Sequence, residues 1–311
     1  MRRTKMKSHH EPYWDLVKRI IIESDVVLEI LDARLVELSR NEEVENLIKE
    51  VGRPVIFVIN KSDLADKNKL KKVVEELKEK GEVVFLSAKE PGSWKMLLAR
   101  IKQVFSKHGK RKKVERGKFA PKQKYREAIG EMVVGVLGYP NVGKSSIINQ
   151  LAHKKKVQVS KKAGTTHGIH WIKASDHIKL IDSPGVIPLR KEDEVRYALI
   201  GARNADRLKE PDVVADAIIN MFWKMDKKAL IKHYDIDLKD VDEFEEEVEK
   251  EVIGKDGKIE LKKEKKIRVD SFEVLDRIAQ RKRYLVKGGE SDVNRAAVLL
   301  IRDWQYGKLN L

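Results

Sequence analysis

The chain has 311 residues, 41% of them hydrophobic, enough for about two domains with real cores and too apolar for a disordered chain. It carries 66 Lys and Arg against 50 Asp and Glu, a formal charge of +16, and that sign points to a polyanionic partner, nucleic acid first. The absence of cysteine excludes disulfide frameworks and thiolate metal sites and fits a reducing cytoplasm, and no run approaches about eighteen uncharged apolar residues, so no membrane span is expected.

The first residues are an irregular basic stretch holding His9 and His10. A short amphipathic helix follows, with Trp14, Val17 and Ile20 on one face. Residues 26–31 read as a strand ending at Asp32-Ala33-Arg34, and residues 42–50 as a helix. The apolar run 54–59 is a buried strand that delivers Asn60-Lys61-Ser62-Asp63 at its end. A helix over 67–80 stops at Gly81. Residues 83–86 form another strand, delivering Ser87-Ala88-Lys89, and 94–105 another helix. Strands alternating with helices predict a mostly parallel, doubly wound α/β sheet whose ligands sit at the C-terminal strand ends.

Residues 106–128 break this alternation with ten Lys or Arg and two Glu, a net +8. They read as a basic surface linker in which Phe119 and Tyr125 can stack on bases; a merely solvated charge run is the other reading. A strand over 131–137 then leads into Gly138-Tyr139-Pro140-Asn141-Val142-Gly143-Lys144-Ser145, and a helix starts at Ser146. This is G-x-x-x-x-G-K-[ST] between a strand and a helix, where backbone N–H groups and a helix N-terminus wrap a polyphosphate. Residues 138–146 are expected to contact the nucleotide, Lys144 at the β- and γ-phosphates and Ser145 at Mg²⁺.

Strands at 171–173 and 178–181 follow, the second ending at Asp182-Ser183-Pro184-Gly185. From about 198 the pattern turns helical. There Val241, Phe244, Val248 and Val252 predict an acidic amphipathic helix, residues 254–257 a turn or a small hairpin, Gly288-Gly289 a helix end, and Ser291 or Asp292 the next cap. The expected domains are 1–105 and 129–197 as two parts of one nucleotide-binding domain, the linker 106–128, and a helical 198–311 that binds RNA or a ribosome.

Four short motifs share one explanation. After its strand, Asp63 can accept two hydrogen bonds from guanine N1–H and N2. Adenine offers neither, and a site built to pair such donors rejects the wrong base by roughly 10⁴-fold or more. Lys61 can lay its stem on the base, Asn60 can pin neighbouring loops, and the Ala88 N–H can donate to guanine O6. Asp182 would hold Mg²⁺ through a water and the Gly185 N–H would meet the γ-phosphate. Thr166 is the expected second hydroxyl on Mg²⁺, with Thr165 competing by one register. Ordering of such loops by γ-phosphate and Mg²⁺ makes a switch.

The order of the motifs is unusual, because the guanine motifs precede the phosphate loop. The chain therefore resembles a circularly permuted P-loop GTPase. Asp32-Ala33-Arg34 with Ser39-Arg40-Asn41, the phosphate loop, Asp182-Ser183-Pro184-Gly185 and Lys287-Gly288-Gly289-Glu290-Ser291-Asp292 resemble the YlqF/YawG family of ribosome-assembly GTPases. The resemblance implies a helical C-terminal domain and a role in large-subunit assembly. It is weakest at the linker and across 235–267.

Val186 stands where many GTPases place a water-orienting Gln, so slow intrinsic turnover is expected; the family resemblance implies the same. Asn141 could help bind K⁺ between the phosphates, or simply hydrogen-bond within the loop. His9 resembles a family His and could position water, with His10 beside it and an idle, exposed pair as the alternative. The expected protein is a cytoplasmic Mg²⁺-dependent GTPase using GTP/GDP, a monomer off the ribosome, acting on ribosomal RNA or a ribosomal subunit precursor without a membrane. The alternative is a nucleotide-gated RNA-binding module with negligible turnover.

Overall fold

The computed structural model describes residues 12–87, 90, 92–111, 131–152, 170–175, 177–182, 194–253 and 259–310. It divides into two compact units, Met1–Arg203 and Asn204–Leu311. The division falls later than the expected 197/198 boundary because Tyr197, Ile200 and Ala202 are buried in the first unit's core.

In the first unit the elements run α1 (Pro12–Glu23), β1 (Val26–Asp32), α2 (Val36–Ser39), α3 (Glu42–Val51), β2 (Val55–Asn60), α4 (Lys71–Lys80), β3 (Glu82–Leu86) and α5 (Ser93–His108). After the basic segment come β4 (Met132–Leu137), α6 (Lys144–Leu151), β5 (His170–Lys173), β6 (Ile178–Asp182) and α7 (Glu194–Leu199). The six strands form one sheet in the order β3-β2-β1-β4-β6-β5. Among the described strands only β5, at one end of that order, runs antiparallel.

Every residue of β1, β2 and β4 is buried, as expected for strands covered on both faces. Alternate residues serve opposite cores. Val26, Leu28 and Ile30 join α5 and α6 through Leu97, Ile101, Ile147 and Ile148. Val27 and Leu31 join α1, α3 and α4 through Val17, Ile20, Val44, Ile48 and Leu77. Local caps set the helix ends. Asn41 Oδ1 accepts from Val44 N–H at the start of α3, and Gly52, left-handed at φ 70°, closes it.

β1 lies between β2 and β4, and the chain leaves it toward β2 and β3 on one side while β4 leads to β6 on the other. This is the crevice where doubly wound sheets bind ligands. Counted from β4 and rejoined at β1, the same sheet reads 2-3-1-4-5-6, so the permuted motif order leaves an unpermuted strand arrangement.

The second unit has α8 (Pro211–Tyr234), β7 (Glu243–Ile253), β8 (Ile259–Val269), α9 (Ser271–Lys282) and α10 (Val293–Gln305). Its core is built on Ile218, Phe222, Leu230, Ile278, Leu300 and Trp304, with Phe222 edge-on to Trp304 at 5.8 Å. Pro211 sits at the start of α8, where a missing N–H is harmless. Asp226 leaves helical geometry within α8, and its Oδ1 accepts from Lys228 N–H, restarting the helix. No described helix is long and apolar enough to cross a membrane.

Two expectations fail in this unit. The acidic stretch expected to be a helix is β7, paired with β8 in register from Glu243↔Val269 to Ile253↔Ile259. Phe244, Val248 and Val252 recur every fourth residue, a spacing that fits one helix face but is also even and fits one strand face. The partner decides, because the acidic strand faces a basic one, with Glu245–Lys265, Glu247–Lys263 and Glu246–Arg268 pairs across the ribbon. Gly288-Gly289 does not stop a helix either. α9 ends at Lys282 with Arg283 left-handed, and the glycines form the tip of a tight turn closed by Leu285 and Ser291. Asp292, rather than Ser291, caps α10.

Candidate nucleotide-binding site

The C-terminal ends of β1, β2, β3, β4 and β6 lie along one rim. Asp32 pairs in register with Asn60, Asn60 with Leu86, and Val136 with Asp182. The phosphate loop leaves β4 at Gly138 and enters α6 at Lys144. Gly138 has φ 144°, and a Cβ there would lie 2.7 Å from the Ile30 carbonyl. Gly143 has φ 106°, and a Cβ there would overlap Asn60 Nδ2. Asn141 is left-handed at φ 63°, and its Nδ2 donates to the Gly201 carbonyl. These conformations make the concave turn of backbone N–H groups that an anion requires, so the residues present fit a polyphosphate.

Lys144 is buried, and its Nζ donates to the carbonyls of Gly138 and Tyr139 at 2.8 and 2.7 Å. Burial lowers its pKa to about 8, and the Asp182 carboxylate opposes that shift. An anionic phosphate in the loop would favour the charged ammonium and raise that pKa again.

One guanine-side residue meets the loop directly, and its neighbours are fixed around it. Asn60 Nδ2 donates to the Val142 carbonyl at 2.7 Å, which is the pinning expected of it. Ser87 Oγ donates to Asp63 Oδ1 at 2.7 Å, fixing the carboxylate at the end of β3. Lys61 is left-handed at φ 59°, and its Nζ donates to Asp32 Oδ2 at 2.7 Å. Burial lowers the Lys61 pKa, and Asp32 opposes it.

Asp32 is a residue to which the sequence assigned no role. Its carboxylate takes Arg34 through Nε at 3.0 Å and Nη2 at 2.8 Å, as well as Lys61. Burial alone would raise its pKa, but the Arg34 guanidinium and Lys61 ammonium hold it far below the usual carboxylate range. A charged pair two residues apart, closing a mostly apolar buried strand, was the available signal.

The structure thus brings together Asn60, Lys61, Asp63, Ser87, residues 138–146 and Asp182. His9, Ala88, Lys89, Thr166 and Gly185 lie outside the described residues, as do Val186 and residues 112–128 of the basic linker.

Comparison with known proteins agrees with this geometry. Residues 133–254 match the family described as 50S ribosome-binding GTPase. The chain is 35% identical over 305 residues to the uncharacterized GTP-binding protein MJ1464 of Methanocaldococcus jannaschii, spanning 98% of this chain and 68% of that one. It is 30% identical over 288 residues to ribosome biogenesis GTPase A of Bacillus cereus, spanning 92% of this chain and 84% of that one. Its fold is similar to GDP-bound YlqF from T. maritima, with a TM-score of 0.54 and 20% identity over 94% of this chain and 95% of that one. The chain belongs to the YlqF family of GTPases, together with ribosome biogenesis GTPase A.

Proposed function

We propose that this protein is a GTP-hydrolysing switch that assists assembly of the large ribosomal subunit by binding ribosomal RNA or a subunit precursor. The observation that carries the nucleotide half is the Asn60–Val142 hydrogen bond, which joins a guanine-type motif to a phosphate loop at one rim. The ribosomal half is supported by relatives named for ribosome biogenesis and by the formal charge of +16.

Asp63 and the Ala88 N–H would read guanine, with Lys61 under the base and Ser87 and Lys89 flanking it. Residues 138–146 would hold the phosphates, with Lys144 at the β- and γ-oxygens and the Gly185 N–H at the γ-phosphate. Ser145, Thr166 and, through a water, Asp182 would hold Mg²⁺, whose charge offsets that of the polyphosphate. The protein's own contribution to hydrolysis is positioning and electrostatics, so turnover is slow without its partner, given Val186 at the water-orienting place. K⁺ beside Asn141 and an imidazole from His9 would complete the site. The protein works in the cytoplasm, as a monomer away from the ribosome.

Single-turnover GTP hydrolysis with and without purified ribosomal subunits tests this reading. Stimulation by large subunits or their precursors is the expected result. Val186 favours a second reading, a nucleotide-gated RNA-binding module with negligible turnover. In that case nucleotide changes RNA affinity while subunits leave hydrolysis unchanged. Crosslinking to ribosomal RNA with a non-hydrolysable GTP analogue identifies the contacted site under either reading.

A further inference from the structure

Ser39-Arg40-Asn41 carries part of the family resemblance but has no role in the nucleotide site described above. In the fold it ends the loop between β1 and α3. Ser39 Oγ accepts from Asp32 N–H and donates to the Val36 carbonyl, each at 3.0 Å, which closes the loop on itself. Asn41, whose carbonyl already accepts the first helical bond from Glu45 N–H, makes three more bonds at once. Its Oδ1 caps α3 through Val44 N–H at 3.0 Å, its own N–H donates to Glu29 Oε1 at 3.2 Å, and its Nδ2 donates to the Tyr139 hydroxyl at 3.1 Å. Tyr139 is the second residue of the phosphate loop and is 2% exposed.

The Tyr139 ring has further contacts. The Arg196 guanidinium lies 5.8 Å from its ring centroid and donates to the Leu38 and Arg40 carbonyls at 3.0 Å each. The Tyr197 ring stands at 5.8 Å.

We propose that Asn41 is a positioning residue for the nucleotide site, fixing the phosphate loop through the Tyr139 hydroxyl. The proposal rests on the guanine-nucleotide reading above. Asn60 grips the loop at Val142 and Asn41 grips it at Tyr139, on either side of Asn141. Both grips come from the part of the chain that precedes the loop. A loop held at two points loses less freedom when nucleotide arrives, so the second grip acts on affinity through preorganisation. Asn41 caps α3 with one atom and grips Tyr139 with another, so the helix start and the loop share one anchor.

Two substitutions separate gripping from capping. Tyr139→Phe removes only the hydroxyl. Asn41→Ser keeps a capping oxygen but is too short to reach Tyr139. The full chain carrying each change, and both, is titrated with a fluorescent guanosine diphosphate, with thermal melting followed in parallel. Each single change is expected to raise the dissociation constant about fivefold, the double no further than Asn41→Ser alone, with the Tyr139→Phe melting midpoint within about 2 °C of the parent. Unchanged affinity in Tyr139→Phe, or effects that add in the double, overturns the proposal and leaves the guanine reading intact. Should Asn41→Ser fail to fold, Tyr139→Phe decides alone. Failure of the unsubstituted chain to bind the probe overturns both.

Discussion

Asn60 and Val142 are joined by a 2.7 Å hydrogen bond across 82 positions of chain. The donor ends β2, and the acceptor is in the loop after β4. In the permuted order this bond connects the chain's opening segment to its phosphate site, so a side chain from the first half of the sheet holds a loop that belongs to the second.

Two substitutions probe this junction. Asn60→Ala leaves the Val142 carbonyl without its donor, and nucleotide affinity should fall about tenfold or more. Gly143→Ala places a methyl on Asn60 Nδ2 and forces a left-handed φ of 106° on a residue with a Cβ. It should abolish measurable binding while melting stays cooperative. Titration with guanosine diphosphate measures both, and parent-like affinity in Gly143→Ala would contradict the packing described.

Nucleotide binding should depend on pH through Lys144. In the free protein burial lowers its pKa to about 8 from 10.5. Bound phosphates favour the charged form, so binding takes up a proton above pH 8 and takes up none at pH 7. The dissociation constant should rise by up to about tenfold per pH unit between pH 8.5 and 9.5. Calorimetry in buffers of different ionisation enthalpy reads the proton count directly, and zero uptake at pH 9 would refute the assignment.

Glu29 supplies a stability prediction. Burial, and next the Glu45 carboxylate, raise its pKa to about 8 from 4.5. The folded state therefore binds more protons than the unfolded state between those values. Its contribution is full below pH 4.5 and is lost as pH rises through 8. Glu29→Gln keeps an oxygen for the Asn41 N–H and cannot ionise. It should match the parent near pH 4.5 and melt on the order of 10 °C higher at pH 8. A constant difference across that range would show that the carboxyl stays ionised in the fold.

Monovalent cations give the fourth prediction. Asn141 is fixed in a left-handed turn, with its amide nitrogen on the Gly201 carbonyl. If its oxygen helps hold K⁺ against the phosphates, replacing K⁺ by Na⁺ at constant ionic strength should slow GTP hydrolysis about tenfold. Equal rates in the two salts would remove K⁺ from the site.

Much of this protein was legible before folding. The strands 26–31, 54–59 and 131–137 are dominated by apolar residues, broken only by Glu29 and Glu131, because both their faces are covered. Each motif was readable because it follows such a run at a fixed offset. Asn60, Asp63, Lys144 and Asp182 were therefore placed on one rim by the logic of a parallel sheet alone. Local pattern was insufficient where it fits two geometries. The fourfold spacing of Phe244, Val248 and Val252 suits a helix face and a strand face equally, and only pairing with the basic β8 resolved it.

What the sequence by itself determined was the chemistry available: a phosphate loop, a guanine-type carboxylate and a basic excess, all encoded by residues close together in the chain. Tertiary structure decided which of these groups constrain one another. Asp32 on Lys61, Asn60 on Val142 and Asn41 on Tyr139 are contacts between segments 29, 82 and 98 positions apart. A hydrogen bond acts over about 3 Å of space, and no spacing along the chain records which distant groups the sheet will bring that close.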